Sequence, residues 1–310
     1  MICITEGAHI PVKTCVALGF FDGLHKGHRA VLAEAHAHAP YAPAVFTFAA
    51  RSFDAKGALK ALLTEELKRE AFASLGIHYL YAPDFEELRG FSAEDFVREV
   101  LVRRMNAAHC VCGYDFHFGR NASADASVLE ALCKPHGIGV TVIPPLMEHG
   151  AAVSSTAIRQ ALSAGDMETA NDLLGYPFTF RGEVVHGNAK GRTIRFPTIN
   201  QYFAAGQAVP RYGVYASETL LHGEWRRSVT NIGVRPTVGE GEIPVAETFI
   251  LDCEENLYGQ NIAVRLHAYL RGEEKLPDFE ALKARILADV EYVRGMAPLT
   301  DGKEVALWQQ

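Results

Sequence analysis

The chain has 310 residues, 48% of them hydrophobic and 22% charged, a composition that favours about two ordinary globular domains, each with a sizeable core. Its formal net charge of −7 excludes a broad electrostatic footprint for nucleic acid, so any phosphate recognition must be local. No basic and then apolar leader opens the sequence and no apolar run approaches the length of a bilayer span, so neither secretion nor a membrane partner is expected.

From residue 14 to about 143, short apolar runs alternate with helical periodicity. Strands are predicted at 14–18, 44–48, 77–82, 108–113 and 139–143, and helices near 28–39, 64–75, 92–105 and 127–136. Ser92-Ala93-Glu94-Asp95 sets an N-cap before an acidic first turn, which marks the start of the third helix. The alternation predicts a Rossmann-like parallel sheet wrapped by helices, with ligands at the carboxyl ends of its strands.

A helix follows Ser154-Ser155 and stops near Gly165; Asp166 opens another that ends at Leu174-Gly175, before Pro177. The domain boundary is expected there, giving residues 1–175 and 176–310. Beyond it the pattern changes to strands at 178–186, 213–221, 224–231, 245–251 and 262–271, with a hairpin turn at His222-Gly223. A closing helix runs from Pro277-Asp278 through roughly Gly295. Consecutive strands without intervening helices predict a small antiparallel β-barrel.

Six cysteines, at 3, 15, 110, 112, 133 and 253, form no CxxC pair and lie mostly within apolar runs, which points to a reducing, cytoplasmic compartment. His109-Cys110-Val111-Cys112 reads as a buried strand rather than a metal site: neighbouring residues on a strand alternate faces, and no second ligand pair stands at zinc spacing.

The densest chemistry lies in Gly19-Phe20-Phe21-Asp22-Gly23-Leu24-His25-Lys26-Gly27-His28, at a strand-to-helix crossing. The first N–H groups of the helix are unpaired there, glycines at 19, 23 and 27 let phosphate oxygens approach the backbone, and His25 and His28 add donors. His36, His38, His78, His136 and His149 have no such partner spacing and read as ordinary histidines. A second segment, Ser154-Ser155-Thr156-Ala157-Ile158-Arg159, puts hydroxyls at a helix start and a guanidinium one turn later, a set suited to a polyphosphate or, alone, to a simple helix cap. In the second half, Thr198 and Asn200 stand two apart on an extended segment, so both oxygens face one side and suit Mg²⁺ beside ATP phosphates or, the segment taken alone, a simple Pro-Thr turn. Glu247 offers a carboxylate that can accept the proton of an attacking hydroxyl.

The pair of segments at 19–28 and 154–159 resembles the HxGH nucleotidylyltransferases, and almost all of residues 12–290 resembles the bacterial bifunctional riboflavin kinase/FAD synthetase family. Gly113-Tyr114-Asp115-Phe116-His117-Phe118-Gly119-Arg120 matches that family's second adenylyltransferase segment. Gly191-Arg192-Thr193-Ile194-Arg195-Phe196-Pro197-Thr198-Ile199-Asn200 is similar to its kinase signature, and Asn231 to Thr237, Glu247-Thr248, Leu257-Tyr258-Gly259 and Leu270-Arg271 follow in family order. The resemblance implies phosphorylation of riboflavin to FMN and adenylylation of FMN to FAD, with ATP as co-substrate and Mg²⁺ as cofactor. It implies adenylyltransferase ATP contacts at Gly19, Phe21, Asp22, Gly27, Asp115, Ser154, Ser155, Thr156 and Arg159, with His25 and His28 catalytic. For the kinase it implies Glu247 as general base, Gly187 and Arg192 in the loop over ATP, Thr198 and Asn200 at the metal, and Arg271 near the flavin. Three positions depart from the pattern. Phe20 stands where the family has Asn, Phe48-Ala49-Ala50-Arg51-Ser52 replaces Phe-x-Pro-His-Pro, and Arg195 replaces a glycine. A kinase with a weakened or lost adenylyltransferase is the alternative reading.

Overall fold

The structure, a computed structural model, describes residues 1–5, 7–49, 60–187, 196–237, 241–274 and 277–296. It divides into two compact units, Met1–Ala61 with Glu65–Ser155, and Leu62–Thr64 with Thr156–Gln310.

The first unit is built on a six-stranded parallel sheet in the order β1-β4-β3-β2-β5-β6. Its strands are β1 (Ile2–Ile4), β2 (Thr14–Leu18), β3 (Ala42–Phe46), β4 (Tyr79–Tyr81), β5 (Ala107–Gly113) and β6 (Gly139–Ile143). β2 is buried along its whole length, as a central strand covered on both faces must be, which is why it reads as an unbroken apolar run. Strand order reverses at β2, with β3 on one side and β5 on the other, so the carboxyl end of β2 is a topological switch point. The helices are α1 (Lys26–Ala37), α2 (Glu65–Ser74), α3 (Ala93–Asp95, continued through Phe96–Arg104) and α4 (Ala126–Cys133). Ser92 caps α3 as its sequence implies, its hydroxyl accepting from the Asp95 N–H at 3.1 Å. The same helix then widens, the Met105 N–H reaching the Val100 carbonyl five residues back. Val16, Leu18, Phe46, Phe96, Val100 and Leu101 form the core on one side of the sheet. The edge strand β1 carries no alternation signal because it is three residues long and largely exposed.

The second unit is a nearly closed antiparallel barrel in the order β10-β13-β12-β11-β14-β9. Its strands are β9 (Phe178–Glu183), β10 (Ile199–Tyr202), β11 (Gly213–Leu221), β12 (Glu224–Thr237), β13 (Gly241–Ile250) and β14 (Asn261–Arg271); the two-residue strands β7 (Met147–Glu148) and β8 (Ala151–Ala152) form a hairpin in the first unit. The barrel ends meet where Val185 bridges Asn200 and the Gln201 amide donates to the Gly182 and Ile262 carbonyls at 2.7 and 2.8 Å. Several barrel elements differ from the sequence expectation: β12 runs on to Thr237 rather than 231 and β9 ends at Glu183 rather than 186. The segment carrying Asn200 is a barrel strand in its own right, and β13 starts at Gly241 rather than 245, running through Pro244. The proline is tolerated because β10 pairs with β13 only from Val245 onward, so no ladder donor is required of residue 244 on that side.

Inside the barrel the Ser217 hydroxyl lies 2.8 Å from those of Ser228 and Thr230, and Thr230 lies 2.9 Å from Thr248. On the opposite strand faces, Val214 and Val229 pack with Val290 and Val293 of α7 (Phe279–Gly295), whose N-cap is Asp278. α5 (Ser155–Ala164) and α6 (Met167–Leu174) follow the first unit in the chain, and the Asn171 side chain ties α6 to the barrel, donating to the Leu266 carbonyl at 2.9 Å and accepting from the Phe178 N–H at 2.8 Å. All six cysteines are free, and Cys110 and Cys112 are buried within β5.

Candidate active sites

The histidine turn sits at the switch point beyond β2. Phe21 and Leu24 take left-handed backbone conformations, φ 53° and 42°, on either side of Asp22 and Gly23. The Phe21 ring lies over Gly19, 3.1 Å from where a Cβ would stand, so a side chain there would press on the ring. His25 is the N-cap of α1: its Nδ1 accepts from the His28 backbone N–H at 3.2 Å. An Nδ1 that accepts carries no proton, so the neutral ring is protonated at Nε2 and that N–H remains the donor. The two imidazoles stack at 3.5 Å between centroids and 16° between planes, and the Phe21 ring meets His28 edge-on at 5.4 Å.

Both histidines are held neutral. Burial, with Arg29 nearby, lowers His25 to about 4. Burial, the His25 ring and Lys68 carry His28 well below its ordinary value. His28 Nδ1 is buried without a hydrogen-bond partner among the described residues. Gly27 leaves room for the His25 ring, 3.3 Å from its missing Cβ, and the Ser155 hydroxyl donates to the Asp22 carbonyl at 2.8 Å. The 154–155 segment and the histidine turn, 133 residues apart at that bond, are therefore one cluster. Asp115 stands exposed in the turn after β5, the neighbour of β2, with its Oδ1 3.1 Å from the Cβ position of Gly113. Thr156 is exposed and Arg159 half-buried on α5, in the other unit.

One residue of this cluster escapes sequence reasoning. Lys68 of α2 is buried, and its ammonium donates to the Phe20 carbonyl at 2.5 Å and to the Thr47 hydroxyl at 2.9 Å. The available signal was a lysine on the apolar stripe formed by Leu67, Ala71 and Phe72.

In the barrel, Asn200, Glu247 and Asn231 are directly opposite one another on β10, β13 and β12, so their side chains share one face. The row continues through Val214 of β11 to Arg271 of β14. This is the face α7 covers, and Arg271 is joined to it: Nη2 donates to Asp289 Oδ2 at 2.7 Å and Nε to the same oxygen at 3.1 Å. Asn200 is buried against Gly187, whose Cβ would fall 2.7 Å from the amide Cγ. Thr248, next to Glu247, points to the other face and lines a cavity of about 600 Å³ with Thr198, Ile199, Ile250, Leu257 and Tyr258. Tyr258 stacks on His186 at 3.8 Å. Arg192, Arg195 and residues 50–52 lie outside the described residues.

A parallel sheet with a histidine-bearing glycine turn at its switch point, followed by an antiparallel barrel with a carboxylate–amide row, is the architecture of a two-part nucleotide-using transferase. The FAD synthetase family model matches residues 8–157 and the riboflavin kinase model residues 174–297. The chain belongs to the bifunctional riboflavin kinase/FMN adenylyltransferase family. Proteins of that name from Escherichia coli K12 and Listeria monocytogenes are 35% and 32% identical to it, each alignment spanning 94% of this chain and 95% of the relative. The Bacillus subtilis protein is 34% identical over 93% of this chain and 95% of its own. A crystal structure of a Streptococcus pneumoniae protein described as a macrolide-efflux protein shares the architecture, with a TM-score of 0.86 and 29% identity over 96% of this chain and 99% of that one. Among the described residues of this chain no helix is long and apolar enough to cross a membrane.

Proposed function

We propose that this chain phosphorylates riboflavin with ATP to give FMN and ADP, and then transfers AMP from a second ATP to FMN, giving FAD and pyrophosphate. The kinase is assigned to residues 176–310 and the adenylyltransferase to residues 1–175. The observation that carries the reading is the pair of neutral, stacked imidazoles at the switch point of a parallel sheet, on a chain whose second unit supplies a separate carboxylate–amide row.

In adenylyl transfer an FMN phosphate oxygen attacks the α-phosphorus of ATP and the bond to pyrophosphate breaks. The phosphate is already a nucleophile, so the protein has to align and stabilise rather than activate. His25 Nε2–H and the His28 ring meet the charge that grows on the α-phosphate and the leaving group, with Gly19, Phe21, Asp22 and Gly27 shaping the turn. Ser154, Ser155, Thr156, Arg159 and Asp115 are assigned to the same nucleotide. Neutral imidazoles can do this, because each keeps one ring N–H as a donor across the physiological range.

In the kinase step Glu247 takes the proton of the riboflavin 5′-hydroxyl as its oxygen attacks the γ-phosphorus, and ADP leaves. The cavity beside Thr198 is assigned to the nucleotide and the row on the α7 face to the flavin, with Gly187 and Arg192 in the loop over ATP and Arg271 at the flavin end. Thr198 lines the cavity and Asn200 the adjoining row, its amide donating to the Thr198 carbonyl at 3.4 Å; both offer the hard oxygen donors Mg²⁺ takes, and the missing Cβ of Gly187 makes the space in which the Asn200 amide sits. When bound there, Mg²⁺ neutralises triphosphate charge. The substrates are small molecules; no nucleic acid or membrane partner is assigned, and the free cysteines suit a cytoplasmic setting.

Incubating the purified protein with riboflavin, ATP and Mg²⁺ and separating the flavins by chromatography tests the reading. FMN should appear first and FAD after it; FMN without FAD would leave the alternative of a kinase with a lost adenylyltransferase.

A further inference from the structure

α2 turns one charged side chain inward. Lys68 is 6% exposed, on the same stripe as Leu67, Ala71 and Phe72, where an aliphatic residue would ordinarily sit. Burying an ammonium without partners is costly, and this one has them: the Phe20 carbonyl, the Thr47 hydroxyl, and the face of the Phe20 ring 4.7 Å away. Thr47 also donates to the Phe20 carbonyl at 2.9 Å, so that single oxygen receives two hydrogen bonds. It belongs to the peptide that leads into Phe21, the residue whose backbone is left-handed and whose ring covers Gly19 and abuts His28. One turn further along α2, Phe72 meets Phe21 edge-on at 5.7 Å. Two residues of one helix therefore brace two consecutive residues of the histidine turn.

We propose that Lys68 is a charge-bearing positioning residue for adenylyl transfer, fixing the Phe20–Phe21 peptide from beneath so that His25 and His28 meet the triphosphate in one geometry. The inference rests on the adenylyl-transfer reading of this site. A neutral amine could still donate two hydrogen bonds, so the charge itself needs a reason. A cation at this depth is poorly screened, and its field reaches His28, which it helps to hold neutral. Burial lowers Lys68 to about 8, against the opposing pull of Asp22 on the turn and Glu65 on its own helix. The ammonium is accordingly the form present at neutral pH and is lost on mild alkalinisation.

The test measures kcat for FMN to FAD against pH in the full chain, with riboflavin phosphorylation as the internal control, for wild type, Lys68→Met, Lys68→Arg and His28→Ala. Wild type should lose rate along an alkaline limb centred near pH 8. Lys68→Met should lower kcat by about tenfold to a hundredfold and abolish that limb while sparing the kinase. Lys68→Arg should retain most of the rate without the limb, since a guanidinium does not titrate there. A folded Lys68→Met with wild-type kcat, or with reduced kcat and an unchanged limb, overturns the proposal. Should Lys68→Met fail to fold, wild type and Lys68→Arg decide: a limb in both overturns it, a limb only in wild type supports it. Wild-type FAD synthesis by His28→Ala would instead overturn the adenylyl reading, and this inference with it.

Discussion

Replacing Gly187 with Ala probes the geometry of the kinase site, because the nearest atoms the added methyl group meets all belong to Asn200. Its Cβ would come closest to Asn200 Nδ2 and stand 2.7 Å from Cγ and 2.8 Å from Oδ1, whereas ordinary contact begins near 3.4 Å, so the amide must retreat by about 1 Å. The backbone of Asn200 cannot yield with it: the residue is 4% exposed, in register with Glu247, and bridged to Val185. The displacement therefore falls on the side chain, as a rotation away from its rotamer and away from the Glu247 face. A misplacement of about 1 Å at a reacting centre costs on the order of 10²-fold, so kcat for riboflavin phosphorylation should drop by about 10- to 100-fold and the Mg²⁺ requirement should rise. FMN adenylylation, measured on the same preparation, should be untouched. A folded Gly187→Ala with wild-type phosphorylation and an unchanged Mg²⁺ titration would refute the placement of Asn200 at the phosphates.

Glu247→Gln should lower riboflavin phosphorylation by ~10²–10⁴-fold, the usual reach of a general base, and leave FMN adenylylation intact in a coupled assay started from FMN. Acid should destabilise the fold through His25. The unfolded imidazole takes up its proton near 6.5 and the folded one only near 4, so stability present above 6.5 declines as pH falls through that window. The loss for His25 between pH 7.5 and 4.5 is about 2–3 kcal/mol, and the fall in stability over that range, read from urea titrations, should be smaller by about that amount in His25→Gln than in wild type. Asp289→Asn strands the Arg271 guanidinium, whose partner carboxylate is 8% exposed; a loss of about 3 kcal/mol in urea denaturation is expected, and no loss would show that the pair does not hold α7 to the barrel.

Most of the architecture was legible because its signals are local. β2 announces itself as an unbroken apolar run, and the Ser92 and Asp278 caps lie where their side chains suggest. The histidine turn was readable for the same reason: strand, glycines, imidazoles and helix follow one another within a few residues. What escaped depends on distant segments. β1 exists because β4 offers it an edge, and β10 because β13 pairs it and β9 closes on it. Lys68 looks like any helix lysine until the turn 48 residues earlier lies under it. Arg271 was read from the resemblance as a flavin contact, and its bidentate pairing with Asp289 of α7 has no trace in local sequence.

The central claim is that one chain holds two chemically independent sites, and a crossed measurement on His28→Ala and Glu247→Gln tests it most directly. Given riboflavin, ATP and Mg²⁺, His28→Ala should accumulate FMN at the wild-type rate while FAD formation falls by ~10²-fold or more. Glu247→Gln should form almost no FMN from riboflavin yet convert added FMN to FAD normally. Wild-type FAD synthesis by His28→Ala, or equal loss of both activities in either folded variant, would contradict the account.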